Sequence, residues 1–326
     1  MPLTRRAAIA ALLTAPACAQ TQAPPPATHW RAGPDAPYAV QEIYPTLHDG
    51  GIWIAGGFSP QALGATERVI VFDLAAQSWR EGPPLPAPSH HVHLVSLNGE
   101  LWAIGGFLGG ATRVRWICTD RVLKLAGDGW VEGPALPKPI GEACPIAHQG
   151  RIHLIGGRSP RGAANAAWND QSDVDDHFVL AAGATRWERA APLPMARNSA
   201  AVASLGGAIH VISGRTVAGG VTGAHHVYDA RSGAWRDGAP YPEPRGGLAA
   251  ATFRGRIIAG GGEIFEPASV GTALYALEGE AWAPAGALPA PRHGHGFIAT
   301  DDALHALGGA GRVGGDGTLA SLDILS

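Results

Sequence analysis

Short apolar runs ending in glycine recur along the chain at an even spacing. GIWIAGG (51–57), ELWAIGG (100–106), RIHLIGG (151–157), AIHVISG (208–214), RIIAGGG (256–262) and ALHALGG (303–309) each read as one short strand closed by a Gly pair. In the fourth copy Ser213 stands for the first glycine. A second mark lies between these runs. Six Trp residues are each followed seven positions later by Pro: Trp30/Pro37, Trp79/Pro86, Trp130/Pro137, Trp187/Pro194, Trp235/Pro242 and Trp282/Pro289. Successive Trp residues are 49, 51, 57, 48 and 47 positions apart, a period that marks an internal repeat. Each copy predicts four strands: one after the Pro, one ending in the Gly pair, a third such as RVIVFDL or HHVYDAR, and a fourth carrying the Trp.

Composition agrees with many short strands and turns. Gly (46) and Pro (27) together exceed a fifth of the 326 residues, and charged residues are only 16%. The formal charge of −3 gives no electrostatic reason to expect nucleic acid as a partner.

The Gly pairs, the aromatic-Asp of Phe72-Asp73 and Tyr228-Asp229, and the spaced Trp residues together resemble the Kelch repeat. The resemblance covers residues 28–326 and implies an all-β fold, a six-bladed β-propeller. Copies two, three and five lack the aromatic-Asp. Blades of four strands bury their faces on one another around an axis. The last copy ends in LASLDILS with no Trp, whereas the first Trp precedes the first Gly pair. The strand around residues 29–31 is therefore expected to complete the last blade, replacing two open edges with a hydrogen-bonded pair. Trp79, Trp130, Trp187, Trp235 and Trp282 are expected to be largely buried between blades.

The resemblance also implies that the strand after each Pro is innermost, opening at one mouth of the channel, and that the loops after the Gly pairs rise there too. PAPSHHVH (86–93) and PAPRHGHG (289–296) then start two inner strands, with His90 and His293 at matching positions. His91 and His295 belong to the same clusters, whose imidazoles can line the mouth, act as acid or base, or, less well given strand alternation, bind a metal. No metal or other cofactor is assigned. Arg197, Arg245 and Arg292 also match by position, with Asn198 beside the first. Three guanidiniums at one mouth would suit a carboxylate or phosphate, or else hold backbone. Glu142 is the candidate carboxylate for acid–base work, with His90 and His293 as imidazole candidates. The longest loop, 158–178, carries Asp170, Asp173, Asp175 and Asp176 without the EF-hand pattern, and Trp168, a residue suited to stacking on a sugar ring.

Three functions follow from these features. The leading one is a binding module for a small polar or anionic, carbohydrate-like ligand, or for a protein partner. The second is a carbohydrate mutarotase or epimerase, because exported sialic-acid mutarotases are similar in size and layout. The third is a structural scaffold. The copper-radical galactose oxidases share the fold resemblance, but Cys118 and Cys144 have no evident Tyr partner. A monomer is expected.

The first residues suggest export. Arg5 and Arg6 precede the apolar run AAIAALLTAPA, followed by small residues at Ala17 and Ala19. The run is too short for a membrane span. Thr4-Arg5-Arg6 resembles a twin-arginine signal, and TAPAC a weaker lipobox. The expectation is a signal peptide at 1–19, a Pro-rich linker at 20–27, and a periplasmic or secreted protein. Cys118 and Cys144 would then be the remaining cysteines, as a disulfide or as two buried thiols.

Overall fold

The computed structural model describes residues 29–110 and 113–326. The expected leader and linker lie outside the described residues. Six antiparallel sheets hold the six repeat copies, five of four strands and one of five, in which Ala268–Val270 adds to the usual four. Their innermost strands, in ring order, are Thr46–His48, His93–Leu97, Cys144–His148, Ala201–Leu205, Gly246–Phe253 and Gly296–Ala299. Each sheet continues outward through the strand that ends at the Gly pair, a third strand, and the strand that carries the Trp. We number these blades one to six. Among the described residues no helix is long and apolar enough to cross a membrane.

The last blade takes its outer strand from the other end of the chain. Trp30–Ala32 pairs antiparallel with Leu322–Leu325, setting Trp30 opposite Leu325 and Ala32 opposite Asp323. The core lies between neighbouring sheets. Ile104, Val122 and Leu136 of blade two meet Ile152, Leu154 and Phe178 of blade three. Ile52, Ile70 and Phe72 of blade one meet Leu307, Leu322 and Ile324 of blade six, so the ring closes through core as well as through hydrogen bonds.

The Gly pairs are the inner seam. Both members of every pair, Ser213 included, take positive φ. The second glycine donates its N–H to the next blade each time: Gly57 to Ser89, Gly106 to Ile140, Gly157 to Arg197, Gly214 to Arg245, Gly262 to Arg292 and Gly309 to Val40. The last of these joins blade six to blade one. Ser213 fits the position with its Oγ accepting from the Arg245 N–H and its single proton shared between the carbonyls of Thr222 and Arg245.

The Trp residues pack against the clusters between blades as the sequence suggests, to different depths. Only Trp187 is buried; Trp79, Trp130, Trp235 and Trp282 are half-buried on the outer strands. Their common role is a hydrogen bond. All six repeat indoles donate Nε1–H to a carbonyl of the preceding blade: Trp30 to Ala287, Trp79 to Pro34, Trp130 to Pro83, Trp187 to Pro134, Trp235 to Ala191 and Trp282 to Ala239, at 2.8–3.0 Å. An outer strand needs solvent on one side, so the ring covers the seam between blades without being enclosed by it.

Cys118 and Cys144 are separate buried thiols, donating to the carbonyls of Arg158 and Ala200 respectively. Burial pushes the Cys144 thiol up to about 12.

Candidate functional site

Three rings of positions build the mouth, and each is set by local backbone. The residue after each Gly pair bridges the first inner position of its own blade: Phe58 to Gln41, Phe107 to His90, Arg158 to Gly141, Arg215 to Asn198, Glu263 to Gly246 and Ala310 to His293. The residue after that inner position takes left-handed φ: Glu42, His91, Glu142, Ser199, Gly247 and Gly294. Four backbone bonds link this ring around the axis, from His91 to Glu42, Ser199 to Glu142, Gly247 to Ser199 and Gly294 to Gly247. The left-handed turn aims these side chains at the axis, so charged groups from different blades meet there.

Glu42 stands between two blades. Its Oε2 lies 2.9 Å from His91 Nε2 and its Oε1 lies 3.5 Å from His293 Nδ1. Burial alone would push the Glu42 carboxyl up, but the flanking His91 and His293 reverse that and hold it well below the usual range. Burial likewise opposes charge on His293, yet Glu42 and Glu263 beside it raise its pKa above the ordinary value. His293 Nε2 also reaches the Arg312 carbonyl at 2.8 Å. His90 and His91 contact one another through their Nδ1 atoms at 2.7 Å, and His90 stacks on Phe58.

A second charge group adjoins it. Arg215 bonds Glu263 at 2.8 Å and Glu142 at 3.3 Å. Glu142 accepts from Ser199 Oγ at 2.5 Å and faces Arg158 at 3.6 Å. Burial raises the Glu142 carboxyl by itself; Arg215, His91 and Arg158 outweigh it and bring the carboxyl to about 2. Glu142 is therefore a fixed anion that holds the arginines.

Above this floor lies a cavity of about 560 Å³. Glu42, His91, Arg215 and Glu263 line its base, and Phe58, Trp116, Trp168 and Phe265 line its walls. Trp168 lies over the Arg158 guanidinium at 3.6 Å, and Arg158 also donates to its carbonyl at 2.7 Å. Asp316 and Gln41 complete the polar lining beside the 314–318 loop.

The structure sorts the sequence candidates. His91 and Trp168 line the cavity; His90, His293, Glu142 and Asn198 lie next to its floor but do not line it. Asn198 accepts from Arg215 and donates to Asp173. The three matched arginines do not line the cavity, which corrects the idea of a guanidinium-lined mouth. Arg197 donates to the carbonyls of Ser213, Val211 and Met195; Arg292 to Gly308 and to Asp323; Arg245 to Glu243 and Ser269. Their long side chains tie the Gly-pair strand or a loop of their own blade. His295 sits between strands lining a separate axial cavity of about 210 Å³, and burial drives its pKa well below the ordinary value. The acidic loop also disperses: Asp170 accepts from Ala166 and Ala167, Asp173 from Val217 and Asn198, and Asp176 pairs with Lys138 and Arg189.

Sequence reasoning missed Arg158, Arg215 and Glu263 as floor residues. The signal was present. All three directly follow a Gly pair, and aligning that position across copies gives Phe, Phe, Arg, Arg, Glu and Ala.

No protein-family model matches the chain. It is similar to a Kelch-like protein, terF, of Aspergillus terreus, at 28% identity over 145 residues, 43% of this chain and 30% of the relative. It is similar to Kelch-like protein 40 of Mus musculus, at 24% identity over 185 residues, 55% of this chain and 28% of the relative. In both cases the alignment spans under a third of the relative's length. Among solved structures, that of YjhT superposes with a TM-score of 0.76 at 16% identity, covering 90% of this chain and 99% of that one. Likeness at that identity concerns the fold.

Proposed function

The chain is a Kelch-repeat β-propeller, and on that premise we propose that it binds a small polar, carbohydrate-like ligand in the mouth cavity, outside the cytoplasm. One observation carries this reading. A cavity of about 560 Å³ combines aromatic walls with a few converging polar groups, the pattern of a small-ligand site. Aromatic faces stack on the apolar faces of sugar rings while the floor takes their hydroxyls. The matched arginines, engaged within their own blades, no longer argue for an anion. The reading of a protein partner rests on the rim, where Leu63 and Phe265 are 81% and 52% exposed.

Calorimetry against a panel of neutral monosaccharides tests the proposal. Trp168→Ala and Trp116→Ala should each weaken a bound sugar by about tenfold or more, as loss of a stacking contact of about 1.5 kcal/mol does. A protein that binds none of these and no amino or acidic monosaccharide either sinks the reading. Export rests on the leader-like sequence, and Arg5→Lys with Arg6→Lys should leave the full chain in the cytoplasm if the twin-arginine route is used. Unaltered export would overturn that route.

The contact between Glu42 and His91 supports a second reading, acid–base catalysis of sugar ring opening. A carboxylate and an imidazole 2.9 Å apart at a cavity floor meet the geometric requirement for proton transfer. Glu42, held ionised, would take the proton; Glu142, behind the floor, would not reach the ligand. NMR saturation transfer between anomers measures it. Acceleration that survives Glu42→Gln, or no acceleration for any bound sugar, leaves binding as the whole function.

A further inference from the structure

We propose that the ligand of the mouth cavity carries a protonated amine; this rests on the cavity's being a ligand site and names the chemical class it selects. The lining is richer in acceptors than in donors. Glu42, Glu263 and Asp316 bring carboxylates, and Arg215 is the one arginine or lysine among the described residues that line the cavity. Arg215 is already held by Glu142 and Glu263, so a ligand carboxylate would have to compete with two protein carboxylates for one guanidinium. Gln41 adds a further acceptor. Its amide nitrogen is fixed toward the Gly315 carbonyl and Thr318 Oγ1, which leaves Oε1 as the other end of the amide, buried and without a protein donor.

Charge points the same way. In the described floor, Glu42, Glu142 and Glu263 face Arg158, Arg215 and His293, which sits between Glu42 and Glu263, and the exposed Asp316 adds a further negative group at the rim. An ammonium restores the balance and brings three donors to an acceptor-rich surface. The walls suit it as well, since the faces of Trp116, Trp168, Phe58 and Phe265 attract cations through their ring quadrupoles. The protein itself uses this attraction there: Arg158 lies over Trp168 at 3.6 Å and Arg215 over Phe265 at 5.0 Å.

Titration calorimetry of the folded protein with glucosamine, glucose and glucuronate, at pH 7 and low salt, separates the classes on one ring. Glucosamine should bind at least about tenfold tighter than glucose, and glucuronate weakest, in keeping with a charged hydrogen bond. Glu42→Gln and the surface change Asp316→Asn should each shrink the advantage of glucosamine over glucose, and rising salt should shrink it too. Glucose or glucuronate binding tightest overturns the inference and leaves the cavity as a ligand site. An amine preference indifferent to both substitutions also overturns it. Failure of all three sugars to bind sinks the ligand-site reading, and this inference with it.

Discussion

At Gly309 the backbone takes φ of +88°, and a Cβ placed there would stand 2.6 Å from the His293 carbonyl oxygen. Gly50 has φ of +70° with nothing within 4 Å of such a Cβ. Gly50→Ala should therefore cost about 1 kcal/mol, the left-handed penalty alone, whereas Gly309→Ala should cost at least about 3 kcal/mol because backbone must move as well. Urea unfolding of the two variants measures the difference; equal midpoints would contradict the close approach. The buried imidazoles set the acid limit at the same scale. Burial lowers His93 and His153 to about 3 and His177 and His210 to about 4, against an ordinary value of 6.5. These groups stay neutral in the fold and take up protons on unfolding. Their contribution is complete above about 6.5 and is lost as pH falls toward 4 and then 3. The raised pKa of His293 acts in the opposite sense, but it is one group against four. The urea midpoint should fall steeply from pH 6.5 to 4, and a midpoint flat over that range would refute the neutral assignment.

At the scale of the strand, the outer Trp ring replaces simple burial with a donor reaching across each seam. Trp187, only 7% exposed, combines both roles, whereas Trp79 is half-buried on its outer strand. Trp187→Ala should cost about 3–5 kcal/mol, the usual range for a buried Trp, and Trp79→Ala distinctly less. Replacement by Phe keeps most of the ring and removes the donor, leaving the Pro134 or Pro34 carbonyl to other partners; about 1 kcal/mol is expected at either site. Parallel denaturant melts of the four variants check the order. A Trp79→Ala loss equal to that of Trp187→Ala would mean that the hydrogen bond outweighs enclosure.

For the whole molecule, closure is the feature on which cooperativity depends. The strand Trp30–Ala32 holds the outer edge of blade six, and the Trp30 indole bonds Ala287 of blade five. A chain beginning at residue 28 should melt close to one that keeps the preceding residues. A chain beginning at residue 35 exposes the edge of Leu322–Leu325 and should melt well below it. Differential scanning calorimetry of both chains decides, and coincident transitions would mean that the ring does not depend on this strand. The polar floor is a property of the same closure, since Glu42, His91 and His293 come from blades one, two and six.

The repeat and its four strands per copy were legible in the sequence, because period and alternation follow from backbone geometry and each copy repeats the same local problem; the order of strands within a blade came from the Kelch resemblance, and the use of the first strand to finish the last blade from where the repeat marks fall at the two ends. The Gly pairs announced close backbone contact for the same reason. The mouth was only partly legible. His91 and Trp168 stood out by type and position, but matching arginines proved to be internal ties, as Arg197 and Arg292 show. Side-chain direction there depends on the left-handed residue five positions after each repeat Pro and on the residue after the Gly pair; both recur at fixed spacing, but their backbone angles and the groups they meet are set only in the folded ring. Which charges face one another is a matter of assembly: Arg215 meets Glu142 across 73 residues of chain and Glu263 across 48. Long-range electrostatics is written into the arrangement of blades around the axis, and only the folded ring brings those groups within reach.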